Sequence, residues 1–525
     1  MGCSSRVLTI VSFLANLVAA DERILTSPGD AEAYNSGVYG QRPSQQFFSS
    51  RVRAPRILVN VHDRDKCDPS GTHIITGIDL DGQERSPLIL RADDLSMVYG
   101  MPDWRGGTGA RLQQYNGSSY LSFWSGQDHE AWGSGSTLML DSEYNLFARL
   151  GPEGLENHSD PHEFKLTKNG TALFTNYHQV RGNCSAIGGP EKDCEIWESC
   201  FQELDMATRK PVYTWCASEH IALDESPVRF TATAAKGGKG GYDFFHINAV
   251  SKTRDGRNYL VNARHTSALM LLDGTTGERI WQLGGRENSF TDLSGGNATN
   301  FRGQHHGRFS SDDETEVSFF DNHSFGQDKD TTPGCKYACT RVLRIKLDYE
   351  AMTARVLSEW WHPQSVQARA QGGQHVLPGG GAMVAWGVVP ALTEYTAEGE
   401  VCMDVQVGPW STSVSGESNV YRAYKLNYTA TPYWDPEMAV VDGTAYVSWN
   451  GATEVESWVL HGGDTEERMK EIASSKRQGF ETAIEPESMP LLVRADALDK
   501  NGCLSDGDHT YAERGWSRWT TGEKT

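Results

Sequence analysis

Short apolar strands that alternate with polar positions recur along the chain, and they come in pairs across tight turns. The stretch 243–267, "DFFHINAVSKTRDGRNYLVNARHTS", shows the form: a strand led by His246, an Asp-Gly turn, then a second strand ending at Arg264 and His265. The same outline returns in "HEFKLTKNGTALFTNYH" from His162 and "HHGRFSSDDETEVSFFDNH" from His305. "QHVLPGGGAMVAWG" keeps the leading His375. "LQQYNGSSYLSFWSG" and "EMAVVDGTAYVSWNG" keep the hairpin without a histidine. Asn-Gly and Asp-Gly between alternating strands are the strongest short hairpin signal.

A second kind of hairpin lies between these, as in "TLMLDSEYNLFARL", "CFQELDMATRKPVYTW", "ALMLLDGTTGERIWQLGG", "LRIKLDYEAMTARVLSEW" and "LTEYTAEGEVCMDVQV". Two hairpins make a four-stranded sheet, and a sheet that recurs along a chain is the mark of a propeller blade. The pattern predicts an all-β protein: a six-bladed β-propeller of four-stranded blades. The pieces at 72–90 and 491–504 fall outside these units, and are expected to close the ring or form a small annex. The expected organisation is a signal peptide over 1–20, an N-terminal extension over 21–56, the propeller over 57–505 and a tail over 506–525.

In a propeller the first strand of each blade lines the axis, so the leading histidines His162, His246, His305 and His375 are expected to converge there. Residues two apart on a strand share a face. That places Asn248 with His246 and Phe164 with His162. It also sets His305 against His306 and Arg264 against His265, so that only one of each pair enters the site. Trp386, in the aromatic-rich "VAWG" strand, is a candidate to line the substrate pocket with His375 and Phe164.

Composition narrows the setting. Lys and Arg total 48 against 69 Asp and Glu, a net charge of −21. Such a chain repels phosphate backbones, which argues against a nucleic-acid partner. "VLTIVSFLANLVAA" behind Arg6 reads as a signal peptide cut ahead of Asp21, so a secreted protein is expected. No later stretch suits an integral membrane segment. Seven sequons follow, at Asn116, Asn157, Asn169, Asn183, Asn297, Asn322 and Asn427, as in a glycoprotein. Nine cysteines remain after the signal. Cys184, Cys194, Cys200 and Cys216 are close enough to staple one loop, and Cys335 and Cys339 to close a ring. No paired CxxC motif points to a metal, and no metal or cofactor is expected. There is no GxxxxGK[ST] loop, GxSxG elbow or dinucleotide fingerprint.

Imidazoles gathered with an arginine suit transfer of an anionic tetrahedral group. A neutral imidazole is a nucleophile, a second one moves a proton, and a guanidinium fork matches sulfate or phosphate oxygens. The run "DFFHINAVSKTRDGRNYLVNARHTSALMLLDGTTGERIWQLGG", followed by "FRGQHHGRF" and "AYVSWNGATEVESWVL", resembles the arylsulfotransferase family in its fungal branch, across roughly 57–505. The resemblance implies a six-bladed propeller. It also implies transfer of a sulfuryl group between phenols, without a nucleotide donor, through a transient sulfohistidine. By motif, His305 is the acceptor histidine, His246 and Asn248 form the HxN pair, Arg264 is the strand-end arginine and His162 a further active-site histidine. His306 departs from the family pattern, which has Asp there. A small aromatic or phenolic substrate is expected. Two other uses suit the same pocket: a non-redox cyclase or hetero-Diels–Alderase of secondary metabolism, and a ligand-binding propeller without chemistry.

Overall fold

The computed structural model describes residues 24–25, 28–80, 83–101, 106–129, 132–156, 158–231, 240–324, 334–335, 339–502 and 517–518. Antiparallel sheets dominate it. The first combines Ala423–Leu426 with His73–Leu80, Gln83–Arg91 and Met97–Gly100. The second runs through Thr108–Tyr115, Ser118–Asp128, Gly133–Leu140 and Leu146–Leu150. Phe164–Leu166, Thr171–Gly182, Cys194–Asp205 and Pro211–Cys216 form the third. The fourth holds Ile247–Lys252, Asn258–Ala263, Ala268–Asp273 and Arg279–Gly284. The fifth starts at His305–Phe309 and continues with Glu316–Asp321, Arg341–Asp348 and Thr353–Trp361. The sixth starts at Gly373–Val376, followed by Ala382–Ala385, Ala391–Tyr395 and Val401–Gln406, with Ile57–His62 added beyond.

Turn chemistry sets the registers. Tyr115 pairs with Ser118 across Asn116 and Gly117, both at positive φ (48° and 83°), the two-residue turn that matches strand twist. Neighbouring residues of a strand point to opposite faces, and both faces are buried. Ile74 packs between the sixth and first sheets while Ile75 packs between the first and second. Leu260 likewise packs against the fifth sheet (Phe319) and Val261 against the third (Phe201). Each consecutive pair of sheets shares one apolar core, and Met383, Leu392 and Met403 of the sixth share theirs with Ile74, Leu88 and Leu90 of the first. Each such buried side chain contributes about 1.5–3 kcal/mol.

The hairpin over 437–451 does not start a sheet of this series. Glu437–Val441 and Thr444–Ser448 pair with Glu481–Ile484 in a separate three-stranded sheet. The place expected for it is taken by the 72–90 hairpin, whose inner neighbour Ala423–Leu426 is brought from far along the chain. Leu492–Leu498 belongs to a C-terminal sheet with Ser457–Gly463.

Among the described residues there are four disulfides: Cys67–Cys402, Cys184–Cys194, Cys200–Cys216 and Cys335–Cys339. They are compatible with an extracellular location. The expected signal peptide, Asn157 and Cys503 lie outside the described residues. Asn116, Asn169, Asn183, Asn297 and Asn427 are exposed, as glycan acceptors must be. Asn322 is not: its side chain is fully buried and hydrogen-bonded, which removes it as an acceptor in the folded protein. Among the described residues, no helix is long and apolar enough to cross a membrane.

Candidate functional site

His162 and His246 stand just ahead of their strands, and His305 is the first residue of its own. The rings of His162 and His246 cross at 5.1 Å between centroids. His305 lies within electrostatic reach of both, and of Arg264. Three sheets therefore bring these four side chains together, all of them buried.

Each imidazole has a fixed proton. A carboxylate only accepts, so His162 Nδ1–H donates to Asp160 Oδ1 (2.6 Å) and His246 Nδ1–H to Asp243 Oδ2 (2.5 Å). Asp160 also accepts from the His162 backbone N–H and the Thr175 hydroxyl. His305 is held differently. Asn322 Nδ2 donates to the carbonyls of Ala368 (2.8 Å) and Gln371 (2.9 Å), so its Oδ1 is the atom that accepts His305 Nδ1–H at 2.6 Å. The lone pair of His305 is thereby on Nε2. Burial and the Arg264 guanidinium hold His305 well below the usual imidazole range, so it is neutral near pH 7. Burial lowers His246 to about 3 against the pull of Asp243.

Arg264 donates to His265 Nε2 (2.7 Å) and to the Arg369 carbonyl (3.0 Å). It forms no ion pair with a carboxylate among the described residues, and its Nε is buried without a partner. The strand ends at Ala263, so strand alternation does not separate Arg264 from His265. Both reach the site, and His265 Nδ1–H donates to the Asp243 carbonyl at 2.7 Å. Asp243, His246 and His265 gather ligand-type atoms within 4.8 Å. Of these residues, Asp243 Oδ2 and His246 Nδ1 share a hydrogen bond and His265 Nδ1 donates to the Asp243 carbonyl, while Asp243 Oδ1 is buried without a partner.

Asn248 is placed behind the histidines. Its Nδ2 donates to the Gln304 carbonyl (2.9 Å), and its Oδ1 accepts from Asn262 (2.5 Å), fixing the residue that precedes His305. The ladder slips between His305 and Arg308, with His306 at φ 56°. This bulge sends His305 to the histidine group. His306 is sent the other way, with Nε2 on the Tyr424 hydroxyl (3.1 Å) and Nδ1 accepting from Gln374 N–H.

The other expected pocket residues do not join. His305 pairs with Phe320, next to last in its partner strand, but the matching Val384 pairs with Gln374. His375 sits one step further along, facing Tyr424 and a different cavity. Phe164 packs on Phe174 in the core between the second and third sheets. Trp386 is fully buried, donating to Thr393 and packed edge-on to Phe320 and His362. Sequence reasoning missed Asp160, Asp243, Asn322 and Tyr421. Tyr421 brings a buried hydroxyl without a partner, its ring 6.1 Å from His162. An acid two or three residues ahead of a leading histidine was the available signal for the first two.

The profile of the Arylsulfotransferase (ASST) family matches residues 111–408, a span that holds His162, His246, Arg264 and His305. The chain belongs to the arylsulfotransferase family. No curated protein matches it. Among solved structures, it is similar to the periplasmic gluconolactonase PpgL of Pseudomonas aeruginosa at 11% identity, covering 80% of this chain and 99% of that one, with a TM-score of 0.34. A Lactobacillus plantarum protein is 13% identical, with 81% and 99% covered and a TM-score of 0.34. Both are too distant to inform on function. Membership of the arylsulfotransferase family implies a transferase acting on phenolic substrates.

Proposed function

We propose that this arylsulfotransferase-family chain is a secreted enzyme that moves a sulfuryl group from an aryl sulfate to a phenol, with His305 as the covalent carrier. The observation that carries this reading is the pairing of a neutral His305, its Nε2 lone pair set by Asn322, with a buried Arg264 that lacks a carboxylate partner among the described residues. A guanidinium buried without an anion is costly unless a ligand supplies one. Sulfate oxygens fit that need.

In the first half, His305 Nε2 attacks sulfur. An N–S bond forms, the S–O bond to the donor ring breaks, and the electron pair leaves with the phenolate. In the second half, the acceptor phenol loses its proton, its oxygen attacks sulfur, and the N–S bond breaks to return neutral His305. Asp160–His162 and Asp243–His246 fit the proton traffic, because a carboxylate on Nδ1 stabilises the imidazolium formed when Nε2 takes a proton. That proton then serves the next departing phenolate. The Tyr421 hydroxyl is a further donor for sulfuryl oxygens. Asn248 acts as a positioning residue for His305.

The six sheets with shared cores fit a six-bladed propeller closed between the sixth and first sheets, with the histidines at one end of its axis. The test is an incubation with 4-nitrophenyl sulfate, a quench in base and peptide mass analysis. Sulfuryl mass on the peptide containing His305, absent in His305→Ala, is the expected result. No adduct and no phenol release across several aryl sulfates overturns the reading.

A further inference from the structure

The inner strands carry a second set of polar side chains further along, past the histidines. Lys165 lies three residues beyond His162, and Arg308 three beyond His305. With Arg111, His306, His375 and Tyr424 they line a cavity of about 870 Å³. None of His162, His246, Arg264 or His305 lines it. Behind the wall, Glu163 is fully buried and shared by three guanidiniums, those of Arg111, Arg308 and Arg422. Arg308 and Arg422 lead in holding it down to about 2 against burial, so it is spent on them. Among the described residues Lys165 Nζ has one partner in hydrogen-bond range, the neutral Ser251 hydroxyl at 3.1 Å. Burial, with Arg308 and Arg111 nearby, lowers it to about 7, so that a bound anion would favour its charged form. Arg111, Arg308, Lys165 and the rim residue Lys168 line the cavity; Arg111 and Arg308 share Glu163 with Arg422, and the one carboxylate in the lining, Asp312, is paired with Arg254 at 2.8 Å. A net positive charge thus faces one open cavity in a chain of net charge −21.

We propose that this cavity is a second binding site, separate from the histidine group, for a small molecule bearing two or more oxyanion groups. Arginine forks and a lysine around one volume recognise carboxylate, phosphate or sulfate oxygens, and their spread selects ligands with more than one such group. The volume suits a small molecule. The basic wall favours its capture although the chain as a whole repels anions.

The experiment is calorimetry on the full chain with citrate, pyrophosphate and sulfate at constant ionic strength, for wild type, Lys165→Gln, Lys168→Gln and His305→Ala. One-to-one binding of citrate or pyrophosphate, at least about tenfold tighter than sulfate, is expected. Whichever is tighter identifies the preferred headgroup. Lys165→Gln weakens it about tenfold, and His305→Ala leaves it unchanged. Lys168→Gln, on the exposed rim, weakens it about threefold and reads the same site without touching the buried ion cluster, should Lys165→Gln fail to fold. No saturable binding, or binding that His305→Ala weakens as much as the lysine variants do, overturns the proposal.

Discussion

Asn322 decides which nitrogen of His305 is free: its amide is spent on the carbonyls of Ala368 and Gln371, so its oxygen must take the proton of Nδ1. Asn322→Ala releases the ring to rotate and to change tautomer. The expected loss is roughly 10–100-fold in kcat, the worth of one or two oriented hydrogen bonds. KM for the aryl sulfate changes little, because Arg264 is untouched. Steady-state kinetics with the melting temperature alongside check this. A purely structural role lowers the melting temperature without that kcat effect per folded molecule.

Asp243→Asn keeps the shape around His246 but removes the charge on its Nδ1. The imidazolium formed during proton transfer then loses its stabilising partner. A fall in kcat/KM of about 100–10,000-fold is expected. Donors with good leaving groups, such as 4-nitrophenyl sulfate, are affected least in the first half-reaction, which a series of substituted phenols measures.

Acid weakens this fold early. His246, His305, His306, His73 and His375 are all held below the ordinary value of 6.5, chiefly by burial. The unfolded chain takes up protons at these positions as the pH drops through 6.5. Folded His73 and His375 wait until about 4, and His246 until about 3. The native state therefore binds fewer protons throughout that window, and stability falls as pH drops from 6.5 towards 4. Asp243, held far below its ordinary value, works in the same direction below about 3.8. The melting temperature at pH 5 is expected below that at pH 7.5, and His375→Gln reduces the difference. A flat or rising profile contradicts this.

Cys67–Cys402 ties the stretch after the N-terminal strand Ile57–His62 to the outer strand of the sixth sheet, 335 residues away. Cys67→Ala with Cys402→Ala costs about 2–5 kcal/mol, read by denaturant unfolding. Activity at low temperature is retained, because neither cysteine touches the histidine group.

Much of the sheet architecture was legible because hairpins are local. Asn116–Gly117 announces its turn, and each second hairpin falls where its alternation and acidic turn put it. The inner strand at Ala423–Leu426 was not legible. It pairs with His73–Leu80, and four residues without a turn carry no signal for a partner so distant. The 437–451 hairpin has the local signature of the others but packs elsewhere, because the local pattern fixes a hairpin and not its neighbour. In the site, recurrence led to His162, His246 and His305. The same recurrence misplaced His375, since a ladder shift at His306 breaks the equivalence of positions. Tyr421 reaches the histidines only through tertiary packing, whereas Asn322 sits at the far end of His305's own hairpin, two residues past its strand partner Phe320. Asn322 even carries a glycosylation motif that its burial cancels.

The inner strand of the first sheet has one more consequence. Tyr421, Arg422 and Tyr424 travel with it, so the segment made last among the six sheets of the series also carries the hydroxyl beside His162 and a guanidinium on Glu163. The strand that completes the first sheet and the polar surroundings of His162 and Glu163 therefore arrive together, and neither can be in place before residue 424 has been made.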